Sequence, residues 1–286
     1  MSYVIHGAAG AQGGPLFRRL LASGKAAVGA VRNTATLEGK PVVAVDNASV
    51  ESLVSAYRHA DGVFVHLPVT AEPERVRQAK SIVEAINRAK PGRVVISTSG
   101  SIIDSPGSVL QAPDDSAIAI LTRGIRESGL SHAIVAPRLY LENLLLPPIF
   151  ETVKAEGILR YPFGADFAVS WSSHLDVAEV AERLLVDHSV SGVVGVGQRP
   201  GLDGAALARG FSRHLSRPVA FEALSPESFG DLLTPLFGAG AAAAVAGLYR
   251  ALAQAPDNVI AEETSAQRRL AMAPRSVEQW LADILS

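Results

Sequence analysis

Residues 7–13 read Gly7-Ala8-Ala9-Gly10-Ala11-Gln12-Gly13, a GxxGxxG spacing. The run follows the β-rich residues Tyr3-Val4-Ile5-His6 directly. It opens into the helical spacing of Pro15-Leu16-Phe17-Arg18-Arg19-Leu20-Leu21, which ends near Gly24. Such a strand–turn–helix demands small residues for three reasons. One glycine makes the tight turn, another lets the backbone approach a pyrophosphate, and the last lets helix and strand pack closely. The helix N-terminus then offers free N–H groups and partial positive charge to an anion. A merely structural turn in an Ala/Gly-rich chain is the plainer reading. The strand before it and the helix after it favour a dinucleotide site.

The chain after this turn keeps alternating. Apolar runs at Ala26–Val31, Val42–Val45, Gly62–Leu67, Arg93–Ser97 and Ser131–Ala136 read as strands. Helical spacing separates them at Val50-Leu53-Val54-Tyr57, Glu72 to about Ala89, and Ser116–Ser128, the last closed by Gly129. Continuous apolar strands alternating with helices predict a parallel sheet buried on both faces. The expected fold is therefore α/β: a Rossmann-type doubly wound parallel sheet with a smaller, mostly helical C-terminal domain on the substrate side. We place the dinucleotide-binding domain at 1–155, with 174–197 returning to it, and the smaller domain at 156–286. Within the second half, Leu141–Ala155 and Asp176–Leu185 have helical spacing, Gly192–Val196 reads as a strand, and the remainder reads as mostly helical with Pro/Gly breaks.

Composition narrows the function classes. With 48% hydrophobic and 19% charged residues the chain has enough apolar material for a sizeable core. Its 26 basic and 28 acidic residues leave a net charge of −2, which argues against a nucleic-acid partner. Cysteine is absent, so disulfides, thiolate catalysis and thiolate-bound metals are excluded. The seven histidines show no metal-binding spacing, and no metal is expected. The most apolar stretch, Leu236–Tyr249, is shorter than the ~20 residues a membrane span needs, and the N-terminus does not read as a signal peptide. No membrane partner and a cytoplasmic location are the expectations. A GxSxG elbow and a Gly-Lys-Ser/Thr phosphate loop are both missing.

The candidate site residues follow from the strand ends. Gly7, Ala9, Gly10, Ala11, Gln12 and Gly13 form the turn. Arg32 ends the second strand, 19 residues past Gly13, about where a chain selective for NAD carries Asp or Glu against the ribose 2′-hydroxyl. An Arg there suits a 2′-phosphate in planar fork geometry, so NADP(H) is the expected cofactor; a solvated Arg is the alternative. Asp46 and Asn47 after the third strand fit either an adenine or the cap of the next helix. His66-Leu67-Pro68 and Ser97-Thr98 lie at the carboxyl ends of the fourth and fifth strands, where open α/β sheets bind ligands. In the C-terminal region Ser172 or Ser173 fits as a helix cap, and Trp171 fits cleft or core. Phe229, Leu232, Leu233, Leu236 and Phe237 read as core in preference to a cleft wall. The Gly238–Gly247 stretch fits either a packed helix or a flap.

These pieces together resemble the NmrA-like members of the short-chain dehydrogenase/reductase superfamily. The matching segments are Gly7–Gly14, Val31-Arg32-Asn33, Asp61-Gly62-Val63-Phe64, Ser128-Gly129-Leu130, Pro137-Arg138-Leu139-Tyr140-Leu141-Glu142-Asn143 and Asp176-Val177-Ala178. The resemblance implies NADP(H) bound to a Rossmann domain, a small-molecule substrate in the cleft beneath a smaller domain, and Pro137 and Asn143 among the cofactor-side residues. Some relatives reduce quinones or enones; others bind the cofactor and act as redox sensors or regulators. Typical reductases of the superfamily carry Tyr-x-x-x-Lys, in which the Lys lowers the Tyr pKa. This chain has no lysine between Lys90 and Lys154, and Ile118 falls about where many NmrA-like relatives keep theirs. An NADPH-dependent reductase of a conjugated carbonyl or quinone-like compound is the leading expectation, and a non-catalytic NADP(H) sensor is the alternative. The replacement proton donors available are Tyr140, His66, His174 and Tyr161, with Tyr140 and His66 the catalytic candidates. A homodimer is compatible with the sequence but not required by it.

Overall fold

A computed structural model describes residues 2–286. The first half builds β1 (Ser2–His6), α1 (Gly13–Ala22), β2 (Ala26–Val31), β3 (Val42–Ala44), α2 (Val50–Tyr57), β4 (Gly62–Val65), α3 (Glu72–Ala89), β5 (Val94–Ser97), α4 (Ala117–Glu127) and β6 (His132–Pro137). The second half continues with β7 (Leu139–Tyr140), α5 (Pro147–Glu156), β8 (Ile158–Tyr161), β9 (Trp171–Ser172), α6 (His174–Val186) and β10 (Gly192–Val196). It ends with α7 (Gly204–Leu215), β11 (Ala220–Ala223), α8 (Pro226–Phe237), α9 (Ala239–Leu252), α10 (Ala266–Leu270) and α11 (Val277–Leu285).

Seven strands form one parallel sheet in the order β10-β6-β5-β4-β1-β2-β3. The connections leave in opposite directions at β1 and β4, which makes that gap the topological switch point and the natural ligand crevice. The sheet is covered on both faces. Leu16, Phe17 and Leu20 of α1 pack with Val177 and Leu184 of α6 on one side. Leu53, Ile82, Ile86, Leu121 and Ile125 of α2, α3 and α4 cover the other. Strand residues such as Val94, Val95 and Ile96 are fully buried, which is why these runs carry no polar alternation. Local chemistry sets the helix starts. Ser49, Ser116 and Ser173 each accept a backbone N–H at the first turn of α2, α4 and α6, and Asp176 completes a capping box with Ser173.

A third apolar cluster belongs to the C-terminal part. Tyr161 lies at its centre, with Phe163, Trp171, Phe229 and Tyr249 at centroid separations of 5.2–5.5 Å. Each such ring pair contributes about 0.5–1.5 kcal/mol beyond its area. Trp171 is wholly buried here, which settles it as core.

Two expectations need correction. Leu141–Ala155 is not one helix: a 3₁₀ turn spans Leu141–Leu145 and α5 begins afresh at Pro147. The Pro147-Pro148 pair holds Leu146 extended (φ −55°, ψ 134°), because a residue before proline is driven out of the α region. The C-terminal part is mostly helical, as expected, and adds two short parallel pairs, β8 with β11 and β7 with β9. Finally, α8 does not bury its apolar stripe whole. Phe229 and Leu233 are core, while Leu232, Leu236 and Phe237 are exposed. The Ala/Gly-rich stretch forms α9, packed on α8 where Gly230 meets Ala246. No helix among the described residues is long and apolar enough to cross a membrane.

Candidate functional site

The glycine turn closes tightly at the carboxyl end of β1. Gly7 sits at φ +61°, and a Cβ there would lie 2.3 Å from His66 Nε2. A Cβ on Gly13 would lie 2.1 Å from the carbonyl oxygen of His6. The turn is locked by Gly10 N–H donating to Gly7 O (2.7 Å) and Gly14 N–H to Gly10 O (2.9 Å). Gly10 is exposed, and its added Cβ would meet only Gly7 O at 3.2 Å. Gln12 occupies the cap position of α1 without capping it. Its side chain is taken by β5 instead: Ser97 Oγ donates to Gln12 Oε1 (2.7 Å) and Gln12 Nε2 donates to Ser99 Oγ (2.9 Å). Gln12 thus leaves α1 without a side-chain cap, while Gly14 N–H is held by Gly10 O and Pro15 has no N–H.

A cleft of about 650 Å³ opens beyond this turn. Gly7, Ala9 and Gly10 line it from the turn, Arg32 from the end of β2, and Asp46 and Asn47 from the loop after β3. His66 and Pro68 line it from the loop after β4. Arg32 is exposed and has no ion-pair partner among the described residues. Asp46 and Asn47 do not cap α2, since Ser49 does so. Asp46 Oδ1 accepts Ala48 N–H in its own turn, and the buried Asn47 Oδ1 has no hydrogen-bond partner. Several lining residues were not expected from the sequence, among them Thr36, Val69, Thr70, Glu74 and Gln78. Thr36 is placed by a 3₁₀ turn that Asn33 caps, and Glu74 and Gln78 project from α3 one helical turn apart. The i, i+4 spacing of Glu74 and Gln78 was the only available signal.

The other expected cofactor residues do not line this cleft. Ala11 is exposed on the turn, Gly13 is buried where α1 meets β1, and Leu67 is core. Ser97 and Thr98 are buried at the end of β5, Ser97 holding Gln12. Pro137 pairs with Val196 in the sheet. Asn143 lines a second cleft of about 960 Å³ together with Tyr140, Arg138 and Ile118. Its walls are largely apolar, with Leu110 on one side and Leu248 and Leu252 of α9 on another.

Burial governs the electrostatics between the clefts. His66 is held below the usual imidazole pKa by burial, and its Nε2 lies against Gly7 with no hydrogen-bond partner. His6, bonded to Tyr57 Oη (2.8 Å), is pushed down to about 3 by burial and then by its neighbour His66. Both imidazoles are therefore neutral near pH 7, and His66 cannot act there as a cationic acid. Tyr140 stacks on His174 at 4.3 Å, and its buried hydroxyl, beside Ser97, has no partner. Burial raises its pKa, so the phenol keeps its proton. His174 is lowered to about 4 by burial and then by His66. Glu142 accepts His174 N–H (2.9 Å) and Trp280 Nε1–H (3.2 Å), and burial raises its carboxyl to about 6. Tyr161 donates to or accepts from Tyr249 Oη deep in the aromatic cluster, which removes it from any cleft. No group of His, Asp or Glu among the described residues is arranged to hold a metal ion.

The description "NmrA-like family" matches residues 3–281, nearly the whole chain. The chain belongs to the NmrA-like family. No curated protein sequence matches this NmrA-like chain. Among solved structures it is similar to an NADPH-dependent quinone oxidoreductase from Escherichia coli complexed with NADPH, at 16% identity, full coverage of both chains and a TM-score of 0.78. It is also similar to a Citrobacter triphenylmethane reductase complexed with NADP(H), at 17% identity, 98% coverage of both chains and a TM-score of 0.78. A Staphylococcus aureus nucleoside-diphosphate-sugar epimerase superposes at 18% identity, covering 98% of this chain and 99% of its own, with a TM-score of 0.80. At such identities the likeness establishes the Rossmann-like fold of this NmrA-like chain and nothing finer.

Proposed function

We propose that this NmrA-like chain is an NADPH-dependent oxidoreductase that reduces a small conjugated carbonyl or quinone-like compound. The observation that carries the reading is Arg32, exposed and without an ion-pair partner, on the rim of the cleft that the glycine turn opens. The cleft fits NADP(H) on its own features. Gly7 leaves no room for a Cβ beside His66, so the turn stays close against the cleft wall, and the orphaned Asn47 Oδ1 offers a buried acceptor to an adenine amino group. The glycine turn and the N-terminal end of α1 would hold the pyrophosphate, and Arg32 with Thr36 would hold the 2′-phosphate. When bound, NADPH supplies the hydride. The chain's own residues orient the acceptor.

The apolar cleft beside Tyr140 would take the acceptor. Ile118, almost fully buried, stands in that cleft and supplies no cation to lower the Tyr140 pKa. Tyr140 is thus a hydrogen-bond donor to the substrate, and solvent supplies the proton that completes reduction. A quinone or enone tolerates this arrangement because its reduced form is a stabilised anion. Ile118 and the raised Tyr140 pKa also support the second reading, in which the chain binds NADP(H) without turnover.

Calorimetric titration with NADPH and NADH, followed by turnover on a panel of quinones and enones, tests both. Charge-assisted bonds from Arg32 should make NADPH bind about 10- to 100-fold tighter than NADH, and Arg32→Ala should erase that preference. Binding with turnover supports the reductase. Binding without turnover supports the sensor, and no binding of either nucleotide removes both readings.

A further inference from the structure

Arg138 immediately follows β6 and lines the larger, apolar cleft. Its side chain is 2% exposed. Nη2 donates to Asp104 Oδ1 at 2.9 Å, and Nη1 is buried without any hydrogen-bond partner. A guanidinium carries five N–H donors, and burying one unpaired is costly. In the chain's other buried guanidinium every nitrogen has a partner. In Arg93, Nε donates to Leu184 O, Nη1 to Ser131 Oγ and Nη2 to Val190 O. Arg275 likewise engages Asp176, Glu179 and Asp283 with its three nitrogens. Arg138 alone of these three keeps an orphaned donor, and it alone lines a cleft large enough for a ligand.

We propose that Arg138, tethered by Asp104, anchors a neutral carbonyl oxygen of the substrate through Nη1. This rests on the apolar cleft being the acceptor site. The charge balance selects the ligand class. Glu72, Asp115 and Asp104 set three carboxylates against the guanidiniums of Arg75 and Arg138, so the surroundings do not favour an anion. The donor is directional and its charge is already paired. A conjugated carbonyl flanked by an apolar ring meets both demands, with the ring against Leu110, Ile118 and Leu252. Gly100, at φ +91°, brings the loop after β5 against the Arg138 carbonyl and fixes the backbone from which the side chain reaches.

The test measures equilibrium binding of three probes, 1,4-naphthoquinone, naphthalene and 2-naphthoate, by tryptophan fluorescence on protein saturated with NADP⁺, which does not reduce them. Wild type should bind the quinone about 10-fold or more tighter than naphthalene, the effect expected of one hydrogen bond to a charged group. Arg138→Met alone would strand Asp104, so Arg138→Met is combined with Asp104→Asn to keep the pocket neutral. This double variant should bind naphthalene as wild type does and lose about 10-fold of the preference for the quinone, keeping only the share that Tyr140 supplies. Arg138→Lys should recover part of it. A folded double variant that retains the whole preference overturns the proposal, as does wild type that binds 2-naphthoate tightest. Failure of NADP⁺ to bind would count against the cofactor reading alone, because the same titrations on the unloaded chain still test Arg138.

Discussion

Replacing Gly13 with alanine attacks the turn where it is least able to yield. The added Cβ would lie 2.1 Å from His6 O, 2.6 Å from Gly7 O and 2.7 Å from Gly7 C, all backbone atoms of β1 and the turn itself. Ordinary contact begins near 3.4 Å, so α1 must retreat by about 1.3 Å to accept it. That retreat opposes Leu16, Phe17 and Leu20, which are buried against the sheet. Overpacking typically costs about 1–3 kcal/mol, and rigid obstacles put this case at the upper end. At roughly 2–4 °C per kcal/mol for chains near this size, the unfolding temperature should fall by roughly 6–12 °C. The same shift should move the N-terminal end of α1 away from the phosphates and weaken NADPH about 10-fold or more. Gly24→Ala is the control: unlike Gly13 it has positive φ (+69°), and its Cβ meets nothing within 4 Å. It should cost about 1–2 kcal/mol and leave NADPH affinity intact. Differential scanning fluorimetry and calorimetric titration read both quantities. A Gly13→Ala protein that melts with wild type and binds NADPH equally would refute the close approach of α1 to β1.

Two further outcomes follow from the buried polar groups. Arg93→Met strands the carbonyls of Leu184 and Val190, so stability to urea should fall by about 2–4 kcal/mol without a change in nucleotide binding. His174, lowered to about 4 from the usual 6.5, refuses in the folded state a proton that the unfolded chain accepts. Its contribution is therefore full above pH 6.5 and is lost as pH falls toward 4, on the order of 3 kcal/mol in all. Glu142, raised to about 6 from 4.5, acts with the opposite sign between those values and offsets part of that loss. His174→Phe keeps the stack on Tyr140 and should flatten the denaturation curve between pH 6.5 and 4; an unchanged slope would show that His174 does not sense burial.

Much of the fold was written in local pattern. The seven strands of the main sheet, the helices between them and the glycine turn each depend on short-range spacing, and a sheet buried on both faces leaves an unbroken apolar run as its mark. Gly7, Arg32, Asn47 and His66 were readable for the same reason, since a residue at a strand's carboxyl end falls in the crevice once the sheet is parallel. Other features required the folded chain. Gln12 sits in the glycine motif, yet its side chain is spent on Ser97 and Ser99, 85 and 87 residues away. Thr36, Glu74 and Gln78 reach the cleft only because a 3₁₀ turn and α3 bring them to its edge. The short β8–β11 and β7–β9 pairs carry no strong period of their own, because their partners lie far along the chain. Sequence periodicity records which face of an element is buried, and so it specified the sheet and the turn. Which buried donor is left unpaired, as at Arg138, and which histidine is stripped of its charge depend on contacts between distant segments, and these only the tertiary structure decided.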